Sequence, residues 1–173
     1  MGTIRHKCFL SYHHDDQDSV RKFIEKFDED GDVFITRGIS MPEDVIDSED
    51  PDYVMRRIRT LYLKESTVTI VLMGECTWAR KFVDWEVQAS LRQPADGKPN
   101  GLLAVLLDKN ATKGTLPNRV RLNTETGYAQ YRAYPGSAAA LSTWIDTAFK
   151  ARTDYVSLIV NPRDRRKNNG SCP

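Results

Sequence analysis

Two rhythms of apolar residues alternate along the chain. Lys7–Tyr12, Thr67–Met73 and Leu102–Leu107 are near-continuous apolar runs, and Val33–Ile35 is a shorter one. Runs with little polar alternation are expected of strands covered on both faces. Between them the period changes. In Asp16–Asp30, Val20, Phe23, Ile24 and Phe27 fall at i, i+3, i+4 and i+7. This predicts a helix with acids in its first turn and Gly31 as its C-terminal stop. Tyr53–Leu63 predicts a second helix, with Val54, Ile58, Leu61 and Tyr62 inward and Arg56, Arg57 and Arg59 largely outward. Thr77–Ser90 predicts a third. Ser137–Lys150 predicts a fourth, with Leu141, Trp144, Ile145, Ala148 and Phe149 as its core face. Lys109–Thr126 has no clear period and reads as a loop with at most a short helical turn. Tyr128–Tyr134 reads as a short strand, Tyr155–Val160 is ambiguous, and Arg163–Asn169 reads as a basic, frayed tail.

Strand and helix alternate in order, which predicts an α/β fold with a mostly parallel sheet and helices on both faces. The expected organisation is one domain over residues 1–160 and a polar tail over 161–173. Ligands bind such sheets beyond the carboxyl ends of the strands. That edge should collect Ser11–Asp16, Thr36–Asp50, Gly74–Trp78 and Asp108–Thr115.

One residue breaks the pattern. In the third helix Ala79, Phe82, Val83, Val87 and Ser90 share a face, and Glu86 falls near the middle of it. Asp84, Gln88, Arg80 and Lys81 point elsewhere. A carboxylate on the buried side of a helix must be paired, hydrogen-bonded or facing a cavity. In a cavity it is a candidate acid, base or charge stabiliser.

Composition adds limits. Lys and Arg number 25 and Asp and Glu 24, a net charge of +1 that gives no reason to expect nucleic acid or an anionic membrane as partner. The apolar runs are too short to span a bilayer. The first residues lack the apolar stretch of a signal peptide, and Arg5 and His6 stand where a myristoylation signal wants Ser or Thr. The three cysteines, Cys8, Cys76 and Cys172, are odd in number and scattered. No disulfide framework or metal pair is expected from them, and a reducing cytoplasm fits best.

The first strand ends in Phe9-Leu10-Ser11-Tyr12-His13-His14-Asp15-Asp16, a dense set of hydroxyls, imidazoles and carboxylates. Asp16 or Asp18 can serve as a helix cap. His13 and His14 make a poor metal pair, since adjacent residues of an extended chain point to opposite faces. No metal site is predicted. Dinucleotide-fingerprint, P-loop and Gly-x-Ser-x-Gly patterns are absent. A phosphorylated receiver domain fails because its acceptor Asp position reads Met73-Gly74-Glu75. The stretch Glu43–Asp52 carries six acids and reads as a solvated loop, with a lid or self-association surface as the functional alternative. Trp78 and Trp85 flank the start of the Glu86 helix and serve either packing or stacking on a base.

Three segments resemble a known family. Phe9-Leu10-Ser11-Tyr12-His13 is similar to the opening box of TIR domains. The strand Ser66–Gly74 and the helix Trp78-Ala79-Arg80-Lys81-Phe82-Val83-Asp84-Trp85-Glu86 resemble the region that carries the catalytic Glu of TIR NADases. The closer likeness is to the TIR-like branch that includes the ThsB proteins of bacterial Thoeris anti-phage defence, over about residues 5–108. The resemblance implies a flavodoxin-like TIR fold and cleavage of the nicotinamide–ribose bond of NAD, with Glu86 as catalytic residue. It further implies a cyclic or conjugated ADP-ribose product that signals to a separate effector. Expected contacts to NAD are Phe9, Ser11, Tyr12, His13, His14, Gly74 and Trp78. NAD is the substrate, and no metal or tightly bound cofactor is required. By analogy with TIR domains, a homo-oligomer is expected.

Such chemistry is physically sensible. Nicotinamide leaves readily, so the barrier is formation of an oxocarbenium-like ribose that a nearby carboxylate stabilises. Two other readings stand beside it: a non-catalytic TIR-type interaction module, and a nucleoside deoxyribosyltransferase-like enzyme that also sets a carboxylate at a sugar C1.

Overall fold

The computed structural model describes residues 6–28, 33–36 and 49–172. Five strands form one wholly parallel sheet in the order β2-β1-β3-β4-β5. They are β1 (Cys8–Ser11), β2 (Phe34–Thr36), β3 (Val68–Met73), β4 (Gly101–Leu106) and β5 (Gln130–Arg132). The helices are α1 (Gln17–Phe27), α2 (Pro51–Ile58), α3 (Lys81–Ser90), α4 (Asn118–Glu125) and α5 (Ala138–Asp154). This strand order is that of the flavodoxin-like doubly wound fold, as the alternating pattern predicts.

Side-chain alternation along the strands divides the core in two. Cys8, Leu10 and Tyr12 join Ile70 and Leu72 in a cluster with Val20 and Phe23 of α1 and Leu141, Ile145 and Ala148 of α5. Phe9 and Val71 face the other way, where α2, α3 and α4 pack in two further clusters. The central strands β3 and β4 are buried along their whole length, which is why they carry no polar alternation beyond Thr69.

Four expectations need correcting. The segment read as a loop over Lys109–Thr126 contains α4. Its inward positions are Arg119, Val120 and Asn123, so two of the three buried residues are polar and no apolar period can form. Leu61, expected in the core, is 43% exposed. The chain widens into a π turn over Arg59–Leu63, which shifts the phase and turns Leu63 inward in its place, beside Tyr62, which is buried as expected. Cys76 and Cys172 are joined in a disulfide, against the expectation of none. Scattered spacing along a sequence does not measure distance in the fold, and this bridge joins cysteines 96 residues apart.

The fourth correction is the tail, expected to fray. Residues 160–172 form a strap across α3 and α4. Val160 N donates to Asn123 Oδ1 at 2.9 Å, and Gln88 Nε2 donates to the Pro162 and Arg163 carbonyls, both at 3.1 Å. Trp85 Nε1 donates to the Arg166 carbonyl at 2.8 Å, and Gly170 N to the Ala79 carbonyl at 2.7 Å. The polar residues that read as a solvated tail are instead partners for the outer face of α3.

Of the acidic stretch Glu43–Asp52, residues 43–48 lie outside the described residues, as does Gly31. Asp50 caps α2, accepting from Asp52 N at 3.0 Å, with Pro51 in the first turn. Among the described residues no helix is long and apolar enough to cross a membrane.

Candidate functional site

Glu86 is 1% exposed. Its neighbours on α3 say which way it faces. Phe82, Trp85 and Ala89 pack with Phe9, Val54 and Ile58, while Val83 and Val87 pack with Val71, Leu102 and Val120. On the helical wheel Glu86 lies on the seam between these groups. One turn later on that seam, Ser90 Oγ meets Thr69 Oγ1 of β3 at 2.6 Å. Thr69 pairs in register with Phe9, and two residues further on Val71 pairs with Ser11. A helical turn and two strand residues span about the same length, roughly 5–7 Å. Glu86 therefore stands at the level of Ser11, toward the carboxyl ends of β1 and β3.

Ser11 is fully buried, and its hydroxyl makes no hydrogen bond with any described residue. A buried donor of that kind is rare in a folded protein and calls for a reason. Above it, the turn after β3 folds back on itself, with Gly74 N donating to Thr77 Oγ1 at 2.9 Å. Asp16 occupies the N-cap position of α1 but makes no capping bond. Its carboxylate lies against Gly74 instead, where any Cβ would collide with it. Burial pushes the Asp16 carboxyl above its ordinary range, with Asp15 adding to the effect, while His13, a Thr77 hydrogen bond and Arg80 pull it back. Arg80 brings a positive charge to this corner, and its Nε is buried with no hydrogen-bond partner among the described residues.

The site residues expected from sequence divide into three groups. Ser11, Gly74, His13 and Glu86 belong to one sheet face or to the edge just beyond it. His13 is half-buried, 3.2 Å from the Asp15 carboxylate. Phe9 and Tyr12 are core residues. Phe9 is fully buried and stacks on Tyr62 at 5.8 Å, and Tyr12 packs in the cluster on the opposite face of the sheet. The remaining two lie apart: His14 is exposed, and Trp78 turns toward α4, where it lines a hollow of about 280 Å³ with Asp84, Asn118 and Arg119. Sequence reasoning placed Asp16 and Thr77 at the binding edge without naming them as contacts, with Asp16 or Asp18 as an alternative helix cap, and it pointed Arg80 elsewhere. The signal for Asp16 was the glycine at position 74, which leaves room for a carboxylate.

Asp84, expected to point away from the core, is buried as well. Arg119 Nε donates to its Oδ1 at 3.0 Å, and Arg166 N donates to its Oδ2 at 2.8 Å. Arg119 also donates to Asn161 Oδ1 at 2.9 Å and to the carbonyls of Pro162 and Asp164 at 2.8 and 2.9 Å. This network ties α3, α4 and the strap together. Among the described residues no cluster of His, Cys, Asp and Glu could hold a metal ion.

The TIR-like domain model of the Thoeris protein ThsB matches residues 9–112, more than half of the 173-residue chain. The chain belongs to the ThsB TIR-like family. The match runs from β1 to just past β4, so it includes Ser11, Asp16, Gly74, Arg80 and Glu86 of this TIR-like domain. The α4 helix, β5, α5 and the strap lie beyond it. No curated protein matches the chain.

Proposed function

We propose that this ThsB-like chain cleaves the nicotinamide–ribose bond of NAD, with Glu86 as the catalytic carboxylate. The observation that carries the reading is the placement of Glu86: a buried carboxylate at the level of an unpartnered Ser11 hydroxyl, near the carboxyl edge of a parallel sheet. Ligands bind at that edge in open α/β sheets.

In this mechanism nicotinamide departs with the electrons of its bond to ribose C1. The positive charge that develops on the ribose is stabilised by the Glu86 carboxylate. The Ser11 hydroxyl and the Arg80 Nε are donors suited to ribose oxygens and to the pyrophosphate. Attack on C1 by water gives ADP-ribose, and attack by a group of the same nucleotide gives a cyclic product. The family's place in Thoeris defence favours the cyclic or conjugated product as a diffusible signal to a separate effector. The work would be done in the cytoplasm by a homo-oligomer, with no nucleic acid or membrane partner.

The test is nicotinamide release from NAD by the purified chain, together with mass spectrometry of nucleotides from expressing cells with and without phage. Glu86→Gln should fold and release no nicotinamide. Full turnover by Glu86→Gln would remove the carboxylate from its role.

The non-catalytic interaction module stays as a second reading because 1% exposure seals Glu86 from bulk water in this conformation. It requires self-association by sedimentation together with no nicotinamide release, in infected cells as well as in isolation.

A further inference from the structure

We propose that Cys76 and Cys172 form a reversible thiol–disulfide site, exchanging with small-molecule thiols and disulfides, that fastens the strap to the turn roofing the candidate site. The three cysteines differ sharply. Cys8 is fully buried, and burial reinforced by the Asp28 charge pushes its thiol far above the ordinary range, so it stays a thiol. Cys76 and Cys172 are only half-buried and lie at the surface, within reach of a small reagent.

The bond joins two segments whose order matters. Cys76 lies in the turn between β3 and α3, two residues after Gly74 and one before Thr77. Ala79 N donates to the Cys76 carbonyl at 3.0 Å, and Gly170 N, two residues before Cys172, donates to the Ala79 carbonyl at 2.7 Å. Lys81 N donates to Asn169 Oδ1 at 3.0 Å. The near half of the strap is held independently by Arg119, Asn123 and Asp84. Opening the disulfide therefore releases the last residues and the Gly74–Arg80 turn, and leaves the rest of the strap docked.

The exchange balances with a small disulfide as oxidant. One protein thiolate attacks a sulfur of the small disulfide and expels a thiolate. The second protein thiolate then attacks the protein sulfur of the mixed disulfide and expels the other. Two cysteine sulfurs are oxidised, the small disulfide is reduced to two thiols, and the cysteine protons pass to them. In a reducing cytoplasm the pair stands as a dithiol, and oxidising conditions close it. Any consequence for NAD turnover rests on the function proposed above. The fastening itself does not.

The experiment uses the full chain, oxidised with glutathione disulfide or reduced with dithiothreitol. Under native conditions iodoacetamide should label no cysteine in the oxidised form and two in the reduced form, with Cys8 labelled only after denaturation. Amide hydrogen exchange at Ala79, Arg80 and Gly170 should be at least about tenfold faster in the reduced form, with Arg166 changing less than about twofold. Cys172→Ser and Cys76→Ser should each match the reduced wild type in either buffer. Equal exchange in the two redox states, or failure of both cysteines to label after reduction, would overturn the proposal.

Discussion

Asp84 and Glu86 stand two residues apart on one helix, and both are buried. Asp84 lies under the strap, its oxygens taken by Arg119 and by the backbone of Arg166. Glu86 lies on the sheet side, on the seam between two apolar clusters and level with Ser11. Burial is common to both, so burial alone does not mark a functional carboxylate. Asp84 is built into a network that joins three segments of chain, whereas Glu86 is held where a substrate edge is expected. One should govern stability and the other turnover.

The largest expected effect separates them on both axes. Glu86→Gln should lower nicotinamide release by about a thousandfold or more, the scale of losing one preorganised charge at a transition state, and should leave the melting temperature within a few degrees. Asp84→Asn should do the reverse, lowering the melting temperature while turnover per folded molecule stays near wild type. Parallel melting curves and single-turnover assays read both. Equal loss of turnover in the two variants would break the comparison.

Next in size is the far partner of Asp84. Arg119→Ala leaves a buried carboxylate facing the strap and removes donors from Asn161, Pro162 and Asp164 at once. Losing one member of a buried pair costs about 3–5 kcal/mol. Urea unfolding measures it, and adding Asp84→Leu should recover part of the loss, because the stranded charge goes with it. A cost under about 1 kcal/mol would mean that the strap is not held through Arg119.

The sequence exposed one member of this pair and concealed the other. Glu86 was visible because it interrupts an apolar stripe. Asp84 fell on the polar side of the same wheel, where a solvated residue is the ordinary expectation. Its burial comes from the strap and from α4, and neither carries an apolar rhythm. The inward residues of α4 are Arg119 and Asn123, which bond carbonyls and side chains of the strap rather than fill a core. Periodicity reads burial driven by apolar area and is blind to burial driven by hydrogen bonding. The strands suffered no such ambiguity, since β1, β3 and β4 are apolar on both sides. At the site, Ser11 and Gly74 were legible from their place at strand ends. Phe9 and Tyr12 enter the core on opposite faces of the sheet, and a motif tells which residues recur together but not which face each one enters.

A smaller test sharpens the strap side. Trp85→Phe keeps the ring against Phe82 and Ile58 but removes the donor to the Arg166 carbonyl. One hydrogen bond is worth about 1 kcal/mol net. The unfolding free energy from denaturant titration should fall by that amount, and hydrogen exchange should rise in the strap without change in β3. A rise in β3 as well would show that the strap and the sheet unfold as one unit.

The smallest effect sits on the site side and depends on pH. Asp16 is the acid whose burial against Gly74 raises its pKa from an ordinary 3.8. An acid raised on folding holds its proton in the native state at a pH where the unfolded chain has already lost it. Below pH 3.8 both states are protonated and the residue costs nothing. As pH climbs from there to the folded-state pKa, stability falls, and above that value the full penalty persists. Asp16→Asn keeps the shape and removes the charge, so its melting temperature should match wild type near pH 3 and exceed it at pH 7. A variant less stable than wild type at pH 7 would mean that the attractions of His13 and Arg80 outweigh burial. The carboxylate would then be a paired, structural group like Asp84 rather than one held at a loss beside the site.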